Sequence, residues 1–233
     1  MTPSVCILLL TYEDGQRNTA ARTLRASLDH MRYSGPLHVH IADDGSIPGH
    51  VEALREIAGA YAHVQSVGST NAERRGYGAS YNLASQSVHT HHEIVIPIED
   101  DWELSRDLDL DPLVETLTAG IGIECIRLGY LGFTQALLGS VTHTPGGPML
   151  LIDPRSPERH VAAGHPRIET RAWERAVGPW AERIQAGATE FDWCGRPAAR
   201  SGVAWPLDLG PASQRGDALF AHIGAHGLGE ITP

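Results

Sequence analysis

Hydrophobic and polar positions follow two different periods along the first hundred residues of the chain. Short apolar or alternating runs, which are typical of strands, occupy residues 5–10, 37–42, 62–67 and 93–98. Between these runs, apolar residues recur every three or four positions, as in amphipathic helices, at 19–31, 51–60 and 79–88. Strands that alternate with helices of this length pair in parallel through right-handed crossovers. The pattern therefore predicts an α/β fold with a mostly parallel central sheet.

The second half of the chain has a less regular pattern. The turn sequence from Thr144 to Pro148 separates two apolar runs and indicates an antiparallel hairpin. The predicted elements are helices at 110–119 and 170–177, a strand at 124–128, and hairpin strands at 137–142 and 149–152. We expect a loop rich in glycine and tryptophan after residue 177, and a tail from Pro206 that wraps over the sheet. No repeat or linker divides the 233 residues, which favours a single domain.

Composition narrows the classes of function. All 18 basic residues are arginine, so lysine Schiff-base chemistry and a P-loop lysine are excluded. The formal charge of −10 argues against a general polyanion binder. The three cysteines are far apart and lack metal or redox spacing, which predicts free thiols in a reducing compartment. The apolar run 5–10 is too short to span a membrane, and no export segment is visible, so we expect a soluble, cytoplasmic protein.

Two clusters of carboxylates follow predicted strands. Glu99, Asp100 and Asp101 come directly after the apolar run 93–98, and Asp43 and Asp44 follow the second strand. In a parallel sheet both clusters open on the same edge, where such folds bind ligands. Adjacent carboxylates repel one another, and a divalent cation such as Mg²⁺ or Mn²⁺ removes that cost. The alternative for the first cluster is an acidic N-cap of a following helix.

Two arginines add a phosphate-binding element to this edge. Arg74 and Arg75 lie in the loop after the third strand, where they can neutralise a diphosphate. The carboxylate clusters, the expected cation and the two arginines together indicate a nucleoside-diphosphate site. The segment from Gly76 to Gly78 lacks the third glycine of a dinucleotide fingerprint, so that class of cofactor is not expected.

The chain resembles family-2 glycosyltransferases of the GT-A fold. The resembling segments are 5–12, Ala42–Ser46, Asn71–Asn82 and Glu99–Trp102, the last as a DxD-type motif, together with a later stretch from Gly164 to Gly202. The resemblance implies an inverting, metal-dependent transfer of a sugar from a UDP-sugar to an acceptor hydroxyl. It implies a Rossmann-like sandwich with helices on both faces of the sheet, a nucleotide-sugar half at 1–103, an acceptor half at 104–205 with the small hairpin, and a tail over the site at 206–233.

The resemblance also implies roles for individual residues. Thr11, Tyr12 and Glu13 would line the uridine pocket, Asp44 would accept a hydrogen bond from the uracil ring, and Arg75, with Arg74, would lie near the base and phosphates. Asp101 would be the main ligand of Mn²⁺ or Mg²⁺, with Glu99 or Asp100 contacting ribose or the metal through water. His222 resembles the C-terminal histidine that completes the metal shell. A bound metal would neutralise charge on the leaving diphosphate.

An inverting transfer also needs a general base. In the resembling family an acidic pair supplies it, but here Phe191 stands at the place of the second acid. The base therefore stays open between Glu190 and Asp192, with Glu190 preferred for its alignment and Glu169 a third candidate. Glu190 and Asp192 could instead be surface carboxylates that pair with Arg196 or Arg200.

The sequence leaves the acceptor open. A saccharide, a small molecule or a hydroxymethylated DNA base, as in phage DNA modification, are all compatible with the resemblance. A DNA acceptor predicts an arginine-lined groove, with candidates Arg155, Arg159, Arg167 and Arg171, and His165 is a candidate acceptor contact. The rival functions are a sugar nucleotidyltransferase, which would carry a glycine- and arginine-rich loop with a lysine right after the first strand, and a non-catalytic nucleotide-sugar-binding protein.

Overall fold

A computed structural model describes residues 2–16, 18–88, 92–129, 137–158, 161–162, 166–207 and 219–224. His165 and Arg159, two of the residues predicted to face an acceptor, lie outside these ranges. No helix within the described ranges is long and apolar enough to cross a membrane.

The strand–helix alternation predicted for the first hundred residues is confirmed. Its elements are β1 (Val5–Thr11), α1 (Ala20–His30), β2 (Met31–Arg32), β3 (Leu37–Asp43), α2 (His50–Gly59), β4 (Val64–Asn71), α3 (Tyr77–Val88) and β5 (Ile94–Glu99). The third predicted strand was placed too early, because β4 continues through a polar stretch to Asn71. β4 is an edge strand paired only with β3, and this half-exposed position tolerates polar residues.

The second half forms shorter strands. Its elements are β6 (Trp102–Leu104), β7 (Leu108–Asp109), α4 (Asp111–Thr118), β8 (Cys125–Arg127), β9 (Gly139–Thr144), β10 (Gly147–Ile152), β11 (Arg167–Thr170), α5 (Arg171–Val177), α6 (Ala186–Gly195), β12 (Val203–Pro206) and β13 (Phe220–His222). The predicted hairpin is confirmed as the antiparallel pair β9–β10. The loop expected after residue 177 was wrong over its second part, because α6 buries Thr189 and Trp193 at helical spacing.

Within the described residues, nine strands form one mixed sheet in the order β4–β3–β1–β5–β11–β8–β12–β10–β9. The strands β4, β3, β1 and β5 are parallel to one another, whereas β11 runs antiparallel to both β5 and β8. The predicted α/β architecture is confirmed, with its parallel part confined to the N-terminal half and β8–β12.

The core lies on both faces of this sheet. In β1 all seven residues are buried, with Val5, Ile7 and Leu9 in one hydrophobic cluster and Cys6, Leu8 and Leu10 in the other. This two-sided burial explains why the first strand is a continuous apolar run and not an alternating one. Cys6, Cys125 and Cys194 are buried free thiols, as predicted.

Candidate active site at the carboxyl edge of the sheet

The register of the parallel strands brings the predicted site segments to one edge. Thr11 at the end of β1 is opposite Asp43 on β3, Leu10 is opposite Glu99 on β5, and Asp43 is opposite Asn71 on β4. The two acidic clusters and the arginine loop therefore follow neighbouring strand ends. Open α/β sheets bind ligands in a crevice at this edge.

The loop after β1 is fixed by the neighbouring strand ends. Tyr12 donates its backbone N–H to Asp100 Oδ2 at 3.0 Å, and Glu13 donates its backbone N–H to Ser46 Oγ at 2.8 Å. Glu13 is buried and accepts the Gly15 N–H at 2.7 Å, so its carboxylate shapes its own loop. Tyr12 remains at the surface of the crevice, where the Arg74 guanidinium lies 4.0 Å from its ring centroid and donates to its hydroxyl.

The two aspartates after β3 are engaged by backbone groups. Asp43 is buried and accepts hydrogen bonds from the Ser46 hydroxyl and from the N–H groups of Gly45 and Ser46. Asp44 accepts the N–H of Arg75 at 2.9 Å and that of Gly76 at 3.0 Å. Asp44 therefore fixes the start of α3 as well as facing the crevice. The Arg74 and Arg75 side chains are exposed beside it.

Glu99, Asp100 and Asp101 have three different environments. Burial raises the pKa of Glu99 well above its ordinary value, and the nearby charges of Glu190, Asp101 and Asp100 act in the same direction. The Asp100 carboxylate accepts the Thr11 hydroxyl at 3.0 Å, and its backbone carbonyl accepts the Thr23 hydroxyl at 2.9 Å. Asp101 Oδ1 is buried and has no hydrogen-bond partner among the described residues.

Asp101 and His222 lie together. Their Oδ2 and Nε2 atoms are 3.2 Å apart, because β13 pairs with β6 directly after the acidic cluster and aligns His222 with Trp102. The ring centroids of Trp102 and His222 are 5.0 Å apart in an edge-on arrangement. The chain leaves this pair through Gly224, where a Cβ atom would collide with Asp101 Oδ2, and Ile223 N–H donates to the Asp101 carbonyl at 2.7 Å.

These residues fit a divalent cation. A buried carboxylate oxygen without a hydrogen-bond donor is costly unless a cation or another donor satisfies it, and Asp101 Oδ1 is such an atom. No set of three or more histidine, cysteine or acidic residues in the described ranges is arranged to hold a metal ion. One carboxylate and one imidazole suit Mg²⁺ or Mn²⁺ in the mode in which substrate phosphates supply further ligands.

The two candidate bases have separate surroundings on α6. Glu190 is half-buried and close enough to the crevice for its charge to raise the pKa of Glu99 and that of Tyr77. Asp192 instead forms a 2.6 Å ion pair with Arg196, one helical turn further on. Glu169, the third candidate, is completely buried and accepts hydrogen bonds from Arg167 and Tyr81.

The burial of Arg167 beside Glu169 contradicts its predicted place in an arginine-lined groove for a DNA acceptor. Arg167 is fully buried and lies over the ring of Trp193, 5.1 Å from its centroid, so it does not line a surface groove. Arg155 is exposed but forms a 2.6 Å ion pair with Asp153. The sequence shows where arginines occur but not whether they are buried. It therefore could not distinguish Arg167 from arginines at the surface.

Three further residues beside the predicted site segments were not among the predicted site residues. The hydroxyl of Tyr77, at the start of α3, and the indole nitrogen of Trp180 are buried without a partner among the described residues, and their rings meet at 4.9 Å. The His50 ring nitrogen Nε2 lies 2.8 Å from the Thr11 hydroxyl. His50 had one available signal, since it begins a helix seven residues after the strand-end Asp43.

No protein-family model and no curated protein matches the sequence. Among solved structures, the chain is similar to S. aureus TarS 1–349, with a TM-score of 0.65 and 11% identity over 88% of this chain and 58% of that one. It is also similar to the mannosyltransferase PcManGT from Pyrobaculum calidifontis (TM-score 0.55, 15% identity, 88% of this chain and 57% of that one). A third similar structure is GalNAc-T7 (TM-score 0.56, 15% identity, 88% and 42%).

These structures belong to glycosyltransferases with the GT-A fold, and the chain has that fold. It spans about half the length of the chains it resembles. TarS 1–349 was solved with UDP and with UDP-GlcNAc, PcManGT with GDP-Man and Mn²⁺, and GalNAc-T7 with UDP, GalNAc and Mn²⁺.

Proposed function

We propose that the protein is a metal-dependent inverting glycosyltransferase that moves a sugar from a UDP-sugar to an acceptor hydroxyl. The observation that carries this proposal is the unpartnered, buried Asp101 Oδ1 beside His222, at the edge of a GT-A sheet where the loops after β1, β3 and β4 also converge. The presence of UDP or Mn²⁺ in similar structures supports the same choice of donor and metal.

On the donor side, the nucleoside would lie between the loop after β1 and the start of α3. Tyr12, stacked on Arg74, offers a flat surface for the base, and Asp44 offers carboxylate oxygens to a ring N–H. Arg75 would neutralise a phosphate. Asp101 and His222 would hold the cation, which when bound stabilises negative charge on the departing diphosphate.

On the acceptor side, Glu190 is the base that the surroundings favour. It shares the crevice with Glu99 and Tyr77, so it can take a proton from a hydroxyl that attacks the anomeric carbon from the side opposite the diphosphate. The bond to the acceptor oxygen forms as the bond to the diphosphate oxygen breaks, and the acceptor proton goes to Glu190. Asp192, held by Arg196, is the less favoured candidate.

The proposal is tested by UDP release from a panel of UDP-sugars, with GDP-mannose included, in Mn²⁺ or Mg²⁺ and after chelation. We expect release only with metal, and a loss of about 100-fold or more in Asp101→Asn, because the variant lacks a charged ligand. The matched control is Asp107→Asn, the same change at an exposed carboxylate that pairs with His30. Metal-independent release, or an Asp101→Asn variant as active as the control, would show that the metal assignment is wrong.

Acceptors are then screened with the active donor, and the set includes saccharides, small alcohols and DNA with hydroxymethylated bases. Tight binding of the UDP-sugar without any release would instead favour a non-catalytic binding protein. Incorporation of nucleotide from a nucleoside triphosphate would favour a nucleotidyltransferase.

A further inference from the structure

His50 joins the start of α2 to the loop after β1. Its Nε2 atom lies 2.8 Å from Thr11 Oγ1, and the ring is half-buried. The carboxylates of Asp43 and Glu13 lie near enough for their charges to raise its pKa, against the lowering by burial. The imidazole thus occupies a polar niche at the end of β1, formed by three separate segments of the chain.

Thr11 also contacts the acidic cluster. Its hydroxyl lies 3.0 Å from Asp100 Oδ2, which also accepts the Tyr12 N–H at 3.0 Å. Asp100 stands between Glu99 and Asp101 in the chain, so this contact reaches the acidic cluster. A continuous path therefore runs from His50 through Thr11 to Asp100.

The hydrogen-bonding capacity of the three side chains determines which group donates in each contact. A carboxylate oxygen only accepts, and a threonine hydroxyl has one hydrogen to donate. When Thr11 donates to Asp100, its oxygen must accept from His50, so the His50 proton lies on Nε2. Burial lowers the pKa of His50, although Asp43 and Glu13 act in the opposite direction. A position at a helix N-terminus also disfavours the imidazolium form.

We propose that His50 is a positioning residue of the donor site: its Nε2–H orients the Thr11 hydroxyl, which in turn holds the Asp100 carboxylate in place. The role in donor turnover rests on the proposed glycosyltransferase function. The hydrogen-bonded path itself is independent of that function. Two sets of measurements test the hydrogen-bonded path and the role in donor turnover separately.

The first set is spectroscopic and needs no turnover. Imidazole ¹⁵N chemical shifts, assigned to His50 by comparison with His50→Gln, are expected to show the neutral Nε2–H tautomer. Thr11→Val, which removes the hydroxyl at constant shape, should shift the His50 Nε2 signal, whereas Thr11→Ser should preserve it. An Nδ1–H tautomer, or a His50 signal that is indifferent to Thr11→Val, would overturn the path.

The second set is kinetic and compares two amides of different reach. The amide nitrogen of glutamine corresponds to imidazole Nε2, and that of asparagine corresponds to Nδ1, which points away from Thr11. We expect His50→Gln to stay within about threefold of the wild-type kcat/KM for the donor and His50→Asn to lose about tenfold, the value of one hydrogen bond to a polar network.

Thermal unfolding of both variants shows whether a loss reflects folding. Equal activity of His50→Gln and His50→Asn at equal stability would remove the positioning role. If the wild-type protein releases no UDP from any donor, the proposed function fails, and the ¹⁵N measurements still decide the path.

Discussion

At the scale of single residues, two carboxylates on one helix have different surroundings. Glu190 and Asp192 are two positions apart on α6, so they point about 200° apart around its axis. The charge of Glu190 raises the pKa values of Glu99 and Tyr77, whereas Asp192 pairs with Arg196 at the surface. The helix itself, which the sequence did not predict, is what separates their surroundings.

We expect Glu190→Gln to lower the rate of transfer by about 10²- to 10⁴-fold, because the amide cannot take the acceptor proton. Asp192→Asn removes an exposed ion pair worth about 0.3–0.5 kcal/mol and should keep most of the activity. The measurement is kcat for transfer to an identified acceptor, or to water, with donor KM followed in parallel. A larger loss in Asp192→Asn than in Glu190→Gln would reverse the assignment.

At the scale of elements, β3 and β4 are packed together around a buried imidazole. His40 on β3 lies against Gly68 on β4, where a Cβ atom would approach His40 Nδ1 to 2.8 Å, and its Nε2 lies 3.3 Å from the Thr70 hydroxyl. Burial lowers the pKa of His40 to about 4. The pair of strands therefore accommodates the neutral ring and disfavours the charged one.

This burial predicts a dependence of stability on pH. Below about pH 6.5 the unfolded chain binds a proton at His40 that the folded chain resists until about pH 4, so stability falls as the pH falls through this window. Near pH 4.5 the expected cost is about 2–3 kcal/mol relative to neutral pH.

The test compares wild type with His40→Gln in urea unfolding at both pH values, since other titrating groups contribute equally to both proteins. Between neutral pH and pH 4.5, the wild type should lose about 2–3 kcal/mol more unfolding free energy than His40→Gln. Parallel pH profiles would contradict the assignment.

At the scale of the whole molecule, the sequence predicted the N-terminal half of the sheet better than the rest. Apart from the two-residue β2, each strand from β1 to β5 is long or strongly apolar, and β1, β3 and β4 each lead into a helix, so periodicity locates these elements. β8, β11 and β12 have three or four residues each and pair with partners distant in the chain, which a local pattern does not reveal.

The same distinction holds for the candidate site. Acidic residues at strand ends were predictable, because parallel register carries them to a shared edge. The stacking of Arg74 on Tyr12 and the contact of His50 with Thr11 depend on loop conformation, which hydrophobic patterning does not specify. The burial of Arg167 depends on aromatic residues from α3, the loop after α5, and α6, since Tyr81, Trp180 and Trp193 surround its guanidinium.

The edge-on contact between Trp102 and His222 has a spectroscopic consequence. Trp173, Trp180, Trp193 and Trp205 all lie in the hydrophobic cluster on the other face of the sheet, where Trp180 and Trp193 are stacked at 4.5 Å. Trp102 alone belongs to the opposite cluster and touches the imidazole beside Asp101. Because indole emission responds to its immediate contacts, the molecule contains two groups of tryptophans whose emission reports on different surroundings. One reports on the packing of the C-terminal half, and the other on the immediate surroundings of a single histidine.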